Sequence, residues 1–242
     1  MTILSVNINK VALVRNSRGH DFPNVVQFSK DLIACGADGV TIHPRPDERH
    51  AKYQDAYDLK PVLDELGIEL NIEGYPNERF LDMVCEVKPA QCTLVPDAPD
   101  AITSNAGWDC ETHQEYLKEV CQRLQKEGIR ASNFLDPDPK QVPFAAKTGT
   151  DRIELYTEAF ADMYGTDEQQ TTTQAYKTTA DLATDFGLAI NAGHDLDQKN
   201  LAYLVEQIPQ IAEVSIGHAL VVDMLYTGMD TTVKGYLNCL GR

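Results

Sequence analysis

The sequence lacks the cysteine patterns that mark metal-binding and disulfide-stabilised proteins. Its six cysteines include no C-x-x-C pair and no spacing typical of a zinc site. A chain of 242 residues can bury a sizeable core and needs no disulfides for its stability. We therefore expect reduced thiols in a protein of the cytosol.

Positive charge and long apolar runs are also scarce. The 21 lysines and arginines are outnumbered by 37 aspartates and glutamates, which argues against a nucleic acid or an anionic membrane as partner. No apolar run approaches the length of a membrane span, and the opening residues MTILSVNINK show no signal-peptide pattern. We predict a cytoplasmic protein, and the net charge of −16 leaves a small anionic ligand possible because local charge governs its binding.

What is present is a regular alternation of strand-like and helix-like segments. In THQEYLKEVCQRLQK an apolar stripe recurs at helical spacing, and Thr112 with Glu115 forms a plausible capping box at its start. Glycines that could end helices in the left-handed conformation follow five helical stretches: Gly36, Gly67, Gly128, Gly149 and Gly187. The strand-like runs are ILSVNI, GVTIH, IELNIE, CTLVP, IRASNFL, RIELYT, LAINAG and EVSIGH.

Strands that alternate with helices indicate right-handed crossovers and a parallel sheet. Eight such units in a chain of this length predict an α/β fold, the (β/α)8 or TIM barrel, with additional helices. The alternative is a doubly wound open sheet, which would favour a glycine-rich loop after the first strand. The segment VNINKVALVRN contains no G-x-G-x-x-G. No linker composition divides the chain, so we predict one domain that spans residues 1–242.

Polar residues stand at the ends of the predicted strands, where a barrel gathers its chemistry at one mouth. A buried glutamate needs a partner or a wet cavity. Three histidines and two glutamates at such positions suit acid–base work better than packing. The candidates are Asn7, Asn9, His43, Glu73, Glu154, His194 and His218.

Two further groups of residues suit the binding of phosphate. Gly193 and Gly217, near the last two strand ends, lack a Cβ and so let backbone N–H groups approach an anion. Arg18, Arg45 and His50 could hold a second anion from the opposite rim. Four of the nine arginines lie in the first fifty residues and would suit such a pocket: Arg15, Arg18, Arg45 and Arg49. This pattern suggests two phosphorylated substrates or one bisphosphate.

Six strings, in order and over nearly the whole chain, resemble the pyridoxine 5′-phosphate synthase family of vitamin B6 biosynthesis. They are VNINKVALVRNSRG, GADGVTIHPRPDERH, LNIEGY, TLVPDAPDAITSNAGWD, INAGHDL and IGHAL. The resemblance implies a transferase that condenses 1-deoxy-D-xylulose 5-phosphate with 3-amino-2-oxopropyl phosphate to pyridoxine 5′-phosphate, phosphate and water. It also implies a TIM barrel that forms a homo-octamer and uses neither a metal nor an organic cofactor.

The same resemblance implies roles for individual residues. His43 and Glu73 would accept protons, His194 would donate one, and Glu154 would stabilise a transition state. The implied substrate contacts are Asn7, Arg18, Gly217 and His218 for the amino-ketone phosphate, and Arg45, His50 and Thr103 for the deoxyxylulose phosphate.

Two departures from the common family pattern add candidates. Many members have Asp-His where this chain has Asn9 and Lys10, and many have Gly where it has Asp195. Lys10 can still attract a phosphate, and a backbone amide can still be offered at Asp195. We include these three residues among the substrate-binding candidates and interpret the changes as subtype variation.

Two other functions stay open at this point. His43, Glu73, His194 and His218 could ligate one divalent ion in a metal-dependent sugar-phosphate isomerase or epimerase, although the expected Asp ligands and H-x-H arrangement are missing. A non-enzymatic barrel could instead bind a phosphorylated vitamer as carrier or sensor, but binding alone needs no base such as Glu73.

Overall fold

The computed structural model describes residues 1–97 and 104–242. Eight parallel strands close into a barrel in chain order, with the last strand paired to the first. They are β1 (Ile3–Asn7), β2 (Gly39–Ile42), β3 (Glu69–Gly74), β4 (Gln91–Leu94), β5 (Arg130–Leu135), β6 (Arg152–Tyr156), β7 (Ala189–Gly193) and β8 (Ile211–Ile216). The predicted (β/α)8 barrel is confirmed, because each strand-like run coincides with one of these strands.

Helices surround the barrel. Two strand-to-strand connections, β1 to β2 and β6 to β7, carry two helices each, and two more follow β8, as the predicted additional helices require. They are α1 (Asn9–Asn16), α2 (Val25–Ala34), α3 (Tyr53–Leu66), α4 (Glu78–Val87), α5 (Gln114–Lys126), α6 (Val142–Lys147), α7 (Glu158–Met163), α8 (Gln169–Asp185), α9 (Leu201–Gln207), α10 (His218–Thr227) and α11 (Met229–Cys239). Across the described ranges, none of these helices combines the length and apolarity needed to cross a membrane.

The five predicted helix-ending glycines adopt the expected backbone. Gly67, the C-cap of α3, has φ of 69° and lies in the left-handed region, which glycine reaches at little steric cost. The other four also have positive φ values: Gly36, Gly128, Gly149 and Gly187. This turn returns the chain toward the next strand.

The apolar core lies between the strands and the helices, whereas the inside of the barrel is polar. Alternate strand residues such as Leu4 and Val6 are fully buried in the apolar core, as the two-residue period of a strand requires. Side chains of the other face meet across the barrel: Thr93 Oγ1 on β4 donates to Glu154 Oε2 on β6 at 3.3 Å. Buried polar residues therefore fill the inside of the barrel as far as the end where the strands finish.

The predicted capping box ahead of α5 is wrong. The helix begins at Gln114, with His113 at the N-cap and no side-chain capping bond. Thr112 is instead engaged by the carboxylate of Asp109, which accepts from its Oγ1 at 2.6 Å and from its backbone N at 3.1 Å. A charged acceptor three residues earlier thus takes the donors of Thr112 and organises the turn that precedes the helix.

Candidate active site

A cavity of about 290 Å³ opens where the strands end. The residues that line it include twelve of the predicted site residues: Asn7, Asn9, Lys10, His43, Arg45, His50, Glu73, Glu154, His194, Asp195, Gly217 and His218. Arg18 is exposed after α1 and is not among the lining residues. Thr103 lies outside the described residues. The ends of parallel strands converge at this mouth because all strands of the barrel run the same way.

His43 and Glu73 face each other in the cavity, at the ends of neighbouring strands β2 and β3. His43 Nδ1 lies 3.8 Å from Glu73 Oε2, and His43 Nε2 lies 3.9 Å from Asp97 Oδ2. Burial lowers the pKa of His43 well below its ordinary value, and the guanidinium of Arg45 acts in the same direction. The imidazole is therefore neutral near pH 7 and can accept a proton.

The carboxyl of Glu73 is held from two sides. Asn7 Nδ2 donates to its Oε2 at 3.3 Å, and Ser215 Oγ donates to its Oε1 at 3.4 Å from across the barrel on β8. Burial, followed by the charges of Asp97 and Glu213, raises the pKa of Glu73 to about 8. Only roughly one molecule in ten would then carry an ionised Glu73 at pH 7.

Glu154 lies on β6 with 1% of its surface exposed. Gly193, on neighbouring β7, makes room for it: a Cβ added there would lie 2.6 Å from Glu154 Oε1, closer than real contacts allow. Burial, and next the charge of Glu73, raises the pKa of Glu154 well above its ordinary value. A second carboxyl in the cavity is thus kept neutral by its surroundings.

His194 is fixed by its backbone and by two aromatic rings. Its ring centroid lies 4.9 Å from that of Phe134 and 5.2 Å from that of Tyr156, and Thr157 Oγ1 donates to its carbonyl oxygen. Burial lowers the pKa of His194. Among the described residues its buried Nδ1 has no hydrogen-bond partner, which leaves this atom available to a ligand.

Asp195 occupies a left-handed backbone position, as does His194 before it, with φ values of 57° and 82°. Aspartate is among the few side chains that tolerate this region. Aspartate at this position, where the resemblance predicts glycine, is therefore compatible with a left-handed backbone.

One side of the cavity is the N-terminus of a helix. Gly217 is the N-cap of α10, and Gly217, His218 and Ala219 all line the cavity. The first N–H groups of a helix have no partner within it, and the helix dipole favours an anion there. A Cβ on Gly217 would lie 3.1 Å from Asn7 Cβ, so glycine allows the close approach of β1 and β8 at this point.

A second part of the cavity wall is basic and comes from the loop between β2 and α3. Arg45, Arg49 and His50 all line the cavity. Arg45 Nη2 donates to Asp97 Oδ2 at 2.7 Å, and Ser104 Oγ donates to the same oxygen at 2.7 Å. Burial, followed by Arg45, lowers the pKa of His50 to about 4. Two guanidiniums and a neutral imidazole suit a phosphate.

Asn9 lines the cavity and also connects the ends of β1 and β2 through hydrogen bonds. Its Oδ1 accepts from the backbone N of His43 at 3.0 Å, and its backbone N donates to Asn7 Oδ1 at 3.0 Å. Lys10 follows in the first turn of α1 and lines the cavity. The Asn9-Lys10 pair thus positions one catalytic candidate and adds one positive charge.

Arg15 does not belong to the basic side, contrary to the expectation from the clustered arginines. It is 6% exposed and donates to Asp55 through Nη1 at 2.5 Å and Nη2 at 2.9 Å. Burial of a guanidinium requires such a partner, and Asp55 raises the pKa of Arg15 further. The positive charge of Arg15 therefore pairs with Asp55 and does not serve the cavity.

Three residues of the site had no prediction from the sequence: Asp97, Ser104 and Ser215. Asp97 follows β4 as His43 follows β2, so its place just after a strand was a usable signal. Ser215 stands two residues before Gly217, and the strand period would have put it on the inner face. Ser104 carries no such signal, because it does not stand at the end of a predicted strand.

Metal-ligand geometry is not found in the part of the chain that the structure describes. Within residues 1–97 and 104–242, no three or more His, Cys, Asp or Glu side chains are grouped as a metal site requires. The metal-dependent isomerase considered above would need such a group of ligands.

Solved structures with the same architecture share little sequence with this chain. The tryptophan synthase of M. tuberculosis matches with a TM-score of 0.66 at 10% identity, over 98% of this chain and 92% of that one. Phosphoribosylanthranilate isomerase of Thermotoga maritima matches with a TM-score of 0.63 at 12% identity, over the whole of both chains. These similarities support the barrel fold alone.

Sequence relatives are far closer. The chain is 53% identical to the pyridoxine 5′-phosphate synthase of Christiangramia forsetii over 99% of its own length and 100% of the relative's. It is 52% identical to the enzyme of that name from Parabacteroides distasonis, over 99% of each. Residues 4–242 match the family model described as pyridoxal phosphate biosynthesis protein PdxJ. Because the family model and these relatives match nearly the whole chain, the chain belongs to the PdxJ family.

Proposed function

We infer that the cavity is the active site of a pyridoxine 5′-phosphate synthase, which condenses 1-deoxy-D-xylulose 5-phosphate with 3-amino-2-oxopropyl phosphate. The products are pyridoxine 5′-phosphate, inorganic phosphate and water. The observation that carries this proposal is that His43, Glu73 and His194 line one cavity together with the basic groups of the β2–α3 loop and the N-terminus of α10. Ring closure requires addition of an amine to a carbonyl, elimination of water, elimination of phosphate and several proton transfers. Histidine and glutamate side chains can serve as the acids and bases in these steps.

His43 and Glu73 act as a pair that holds one proton. The raised pKa of Glu73 and the lowered pKa of His43 place that proton on the carboxyl and leave the imidazole free to accept another. When His43 takes a proton from substrate, the imidazolium favours ionisation of Glu73 at 3.8 Å. The proton that Glu73 gives up passes to the hydroxyl that the reaction eliminates as water. The carboxylate can then accept the next proton, so both residues serve as acceptors in turn.

His194 supplies a proton from the other side of the cavity. Burial keeps its imidazole neutral before substrate binds. A phosphorylated substrate adds negative charge nearby, which raises the pKa of a histidine and lets it take up the proton that it later donates. Its aromatic neighbours fix the ring during this exchange.

Glu154 acts as a neutral hydrogen-bond donor. Because burial and Glu73 keep its carboxyl protonated, its O–H can stabilise negative charge that develops on a reacting oxygen. An ionised carboxylate in the same place would oppose that charge.

The two phosphates are bound at separate parts of the cavity wall. Gly217 and His218 at the start of α10, with Asn7, hold the amino-ketone phosphate. Arg45 and His50 hold the deoxyxylulose phosphate. Anchoring both substrates by groups remote from the reacting atoms supplies proximity and orientation, a large part of the rate gain in a two-substrate condensation. Arg18, which is exposed and does not line the cavity, and Thr103 stay predicted contacts to the amino-ketone and the ketose phosphate.

The direct test is to incubate the purified protein with both substrates and to follow pyridoxine 5′-phosphate by chromatography and phosphate release by a colour assay. We expect equal amounts of the two products, and neither product when one substrate is omitted. Absence of pyridoxine 5′-phosphate under these conditions would reject the proposal.

The assembly and the location are proposals that the family resemblance supports. We propose a single-domain subunit that associates into a cytoplasmic homo-octamer without a resident cofactor. Sedimentation at several protein concentrations tests the octamer, and a smaller stable species would contradict it.

A further inference from the structure

The loop that presents the basic side of the cavity is held from behind by one side-chain amide. Asn16, the last residue of α1, donates through Nδ2 to three successive carbonyl oxygens of that loop. The distances are 3.3 Å to Glu48, 3.1 Å to Arg49 and 2.8 Å to His50. Glu48 has φ of 52°, so the loop turns sharply where the amide meets it.

The amide of Asn16 is itself oriented by the buried ion pair. Arg15 Nε donates to Asn16 Oδ1 at 3.0 Å, and Arg15 Nη2 approaches the carbonyl of His50 at 3.4 Å. Asp55, the ion-pair partner of Arg15, also accepts from the backbone N of Lys52 at 2.7 Å, at the start of α3. One connected set of bonds thus joins the end of α1, the loop and the start of α3.

This set of bonds lies outside the cavity but touches the backbone of residues that line it. Arg15, Asn16 and Asp55 are not lining residues, whereas Arg49 and His50 are. Neither Arg49 nor His50 belongs to a helix or strand. A loop without secondary structure needs side-chain contacts of this kind to keep one backbone path.

We propose that Asn16 is a positioning residue for the ketose-phosphate site: its amide fixes the backbone of residues 48–50 and thereby the placement of Arg49 and His50. The proposal rests on the proposed function for the name of the ligand, though not for the geometry. Asn16 touches no substrate and acts only through the loop. It should therefore affect the binding of one substrate and not the chemical step.

The test compares two variants with one control. Asn16→Ala removes the amide without adding charge. Asn16→Asp keeps an oxygen for Arg15 Nε but cannot donate to the three carbonyls. Asn238→Asp makes the same chemical change on an exposed position of α11. Steady-state kinetics would be measured with each substrate varied in turn.

We expect both Asn16 variants to raise KM for the ketose phosphate by about ten-fold or more, with kcat changed by less than about three-fold. KM for the amino-ketone phosphate should not change, and Asn238→Asp should behave as wild type. An unchanged KM for the ketose phosphate, or an equal rise in both KM values, would overturn the proposal and leave Asn16 a purely structural residue. Should Asn16→Ala not fold, the two KM values of Asn16→Asp decide.

Calorimetric titration with inorganic phosphate separates this proposal from the proposed function, because it needs no turnover. We expect two binding steps in the wild type, of which only one weakens in Asn16→Ala. If the wild type forms no pyridoxine 5′-phosphate but this difference is present, the function is rejected and the positioning role stands. Identical phosphate titrations of wild type and variant would reject the positioning role.

Discussion

Replacing Glu73 by Gln should abolish turnover and, at alkaline pH, make the protein more stable. The ordinary pKa of 4.5 applies to the glutamate of the unfolded chain, whereas burial raises the pKa to about 8 in the folded protein. Between these values the folded state holds a proton that the unfolded state has lost. Stability from this group is therefore complete below pH 4.5 and is lost as the pH rises through 8.

The magnitude follows from the same two values. The full loss approaches about 5 kcal/mol, of which about 4 kcal/mol falls between pH 5 and pH 9. Glutamine resembles the protonated carboxyl in size and carries no charge, so the variant escapes this loss. The difference is large beside the roughly 5–15 kcal/mol that stabilises an ordinary domain.

Urea unfolding of wild type and Glu73→Gln, at one fixed protein concentration and at pH 5 and pH 9, measures this difference. The wild type should lose about 4 kcal/mol more than the variant between the two pH values. Glu65→Gln, on an exposed position of α3, should follow the wild type. Parallel behaviour of wild type and Glu73→Gln would show that Glu73 ionises freely and would refute the account of its environment.

Other changes test the cavity piece by piece. Asp97→Asn should lower the pKa of Glu73, because after burial the charge of Asp97 is the largest cause of its rise. Since the pair starts with its proton on Glu73, the alkaline limb of the pH profile of kcat/KM should move to lower pH; an unmoved limb would contradict this. Gly193→Ala should reduce kcat by about 100-fold or more, since its Cβ would displace the Glu154 carboxyl, and near-normal kcat would show that the carboxyl can shift without loss. Arg45→Ala should mainly raise KM for the ketose phosphate, and a pure kcat effect would remove Arg45 from the anchoring role.

The fold could be predicted because its signals are local and repeated. Each strand reads as a short branched run, and glycines such as Gly67 mark the return of the chain. The capping box at Thr112 failed for an equally local reason: Asp109 offers a stronger acceptor to the same donors. Capping depends on which of several nearby oxygens accepts hydrogen bonds from the same donors, and the sequence pattern alone does not rank these acceptors.

The site could be predicted where a residue stands at a strand end, and not where contacts link distant loops. His43 and Glu73 were found because parallel strands bring their ends together. Asn16 was not, since its three acceptors lie more than thirty positions along the chain. Arg15 was grouped with the phosphate-binding arginines because sequence shows its charge but not Asp55, which uses that charge.

At the two positions where the sequence was interpreted as departing from the family pattern, the contacts show what any residue there must provide. Asn9 uses its carbonyl oxygen to accept from the backbone of His43, a task that the carboxylate of aspartate could perform equally well. Asp195 lies at φ of 57°, where glycine is easiest but aspartate is accepted. The structure thus requires a hydrogen-bond acceptor at Asn9 and a left-handed backbone at Asp195. The proton transfers are then carried out by neighbouring residues, His43 in the first case and His194 in the second. Asn9 and Asp195 keep these two histidines in position.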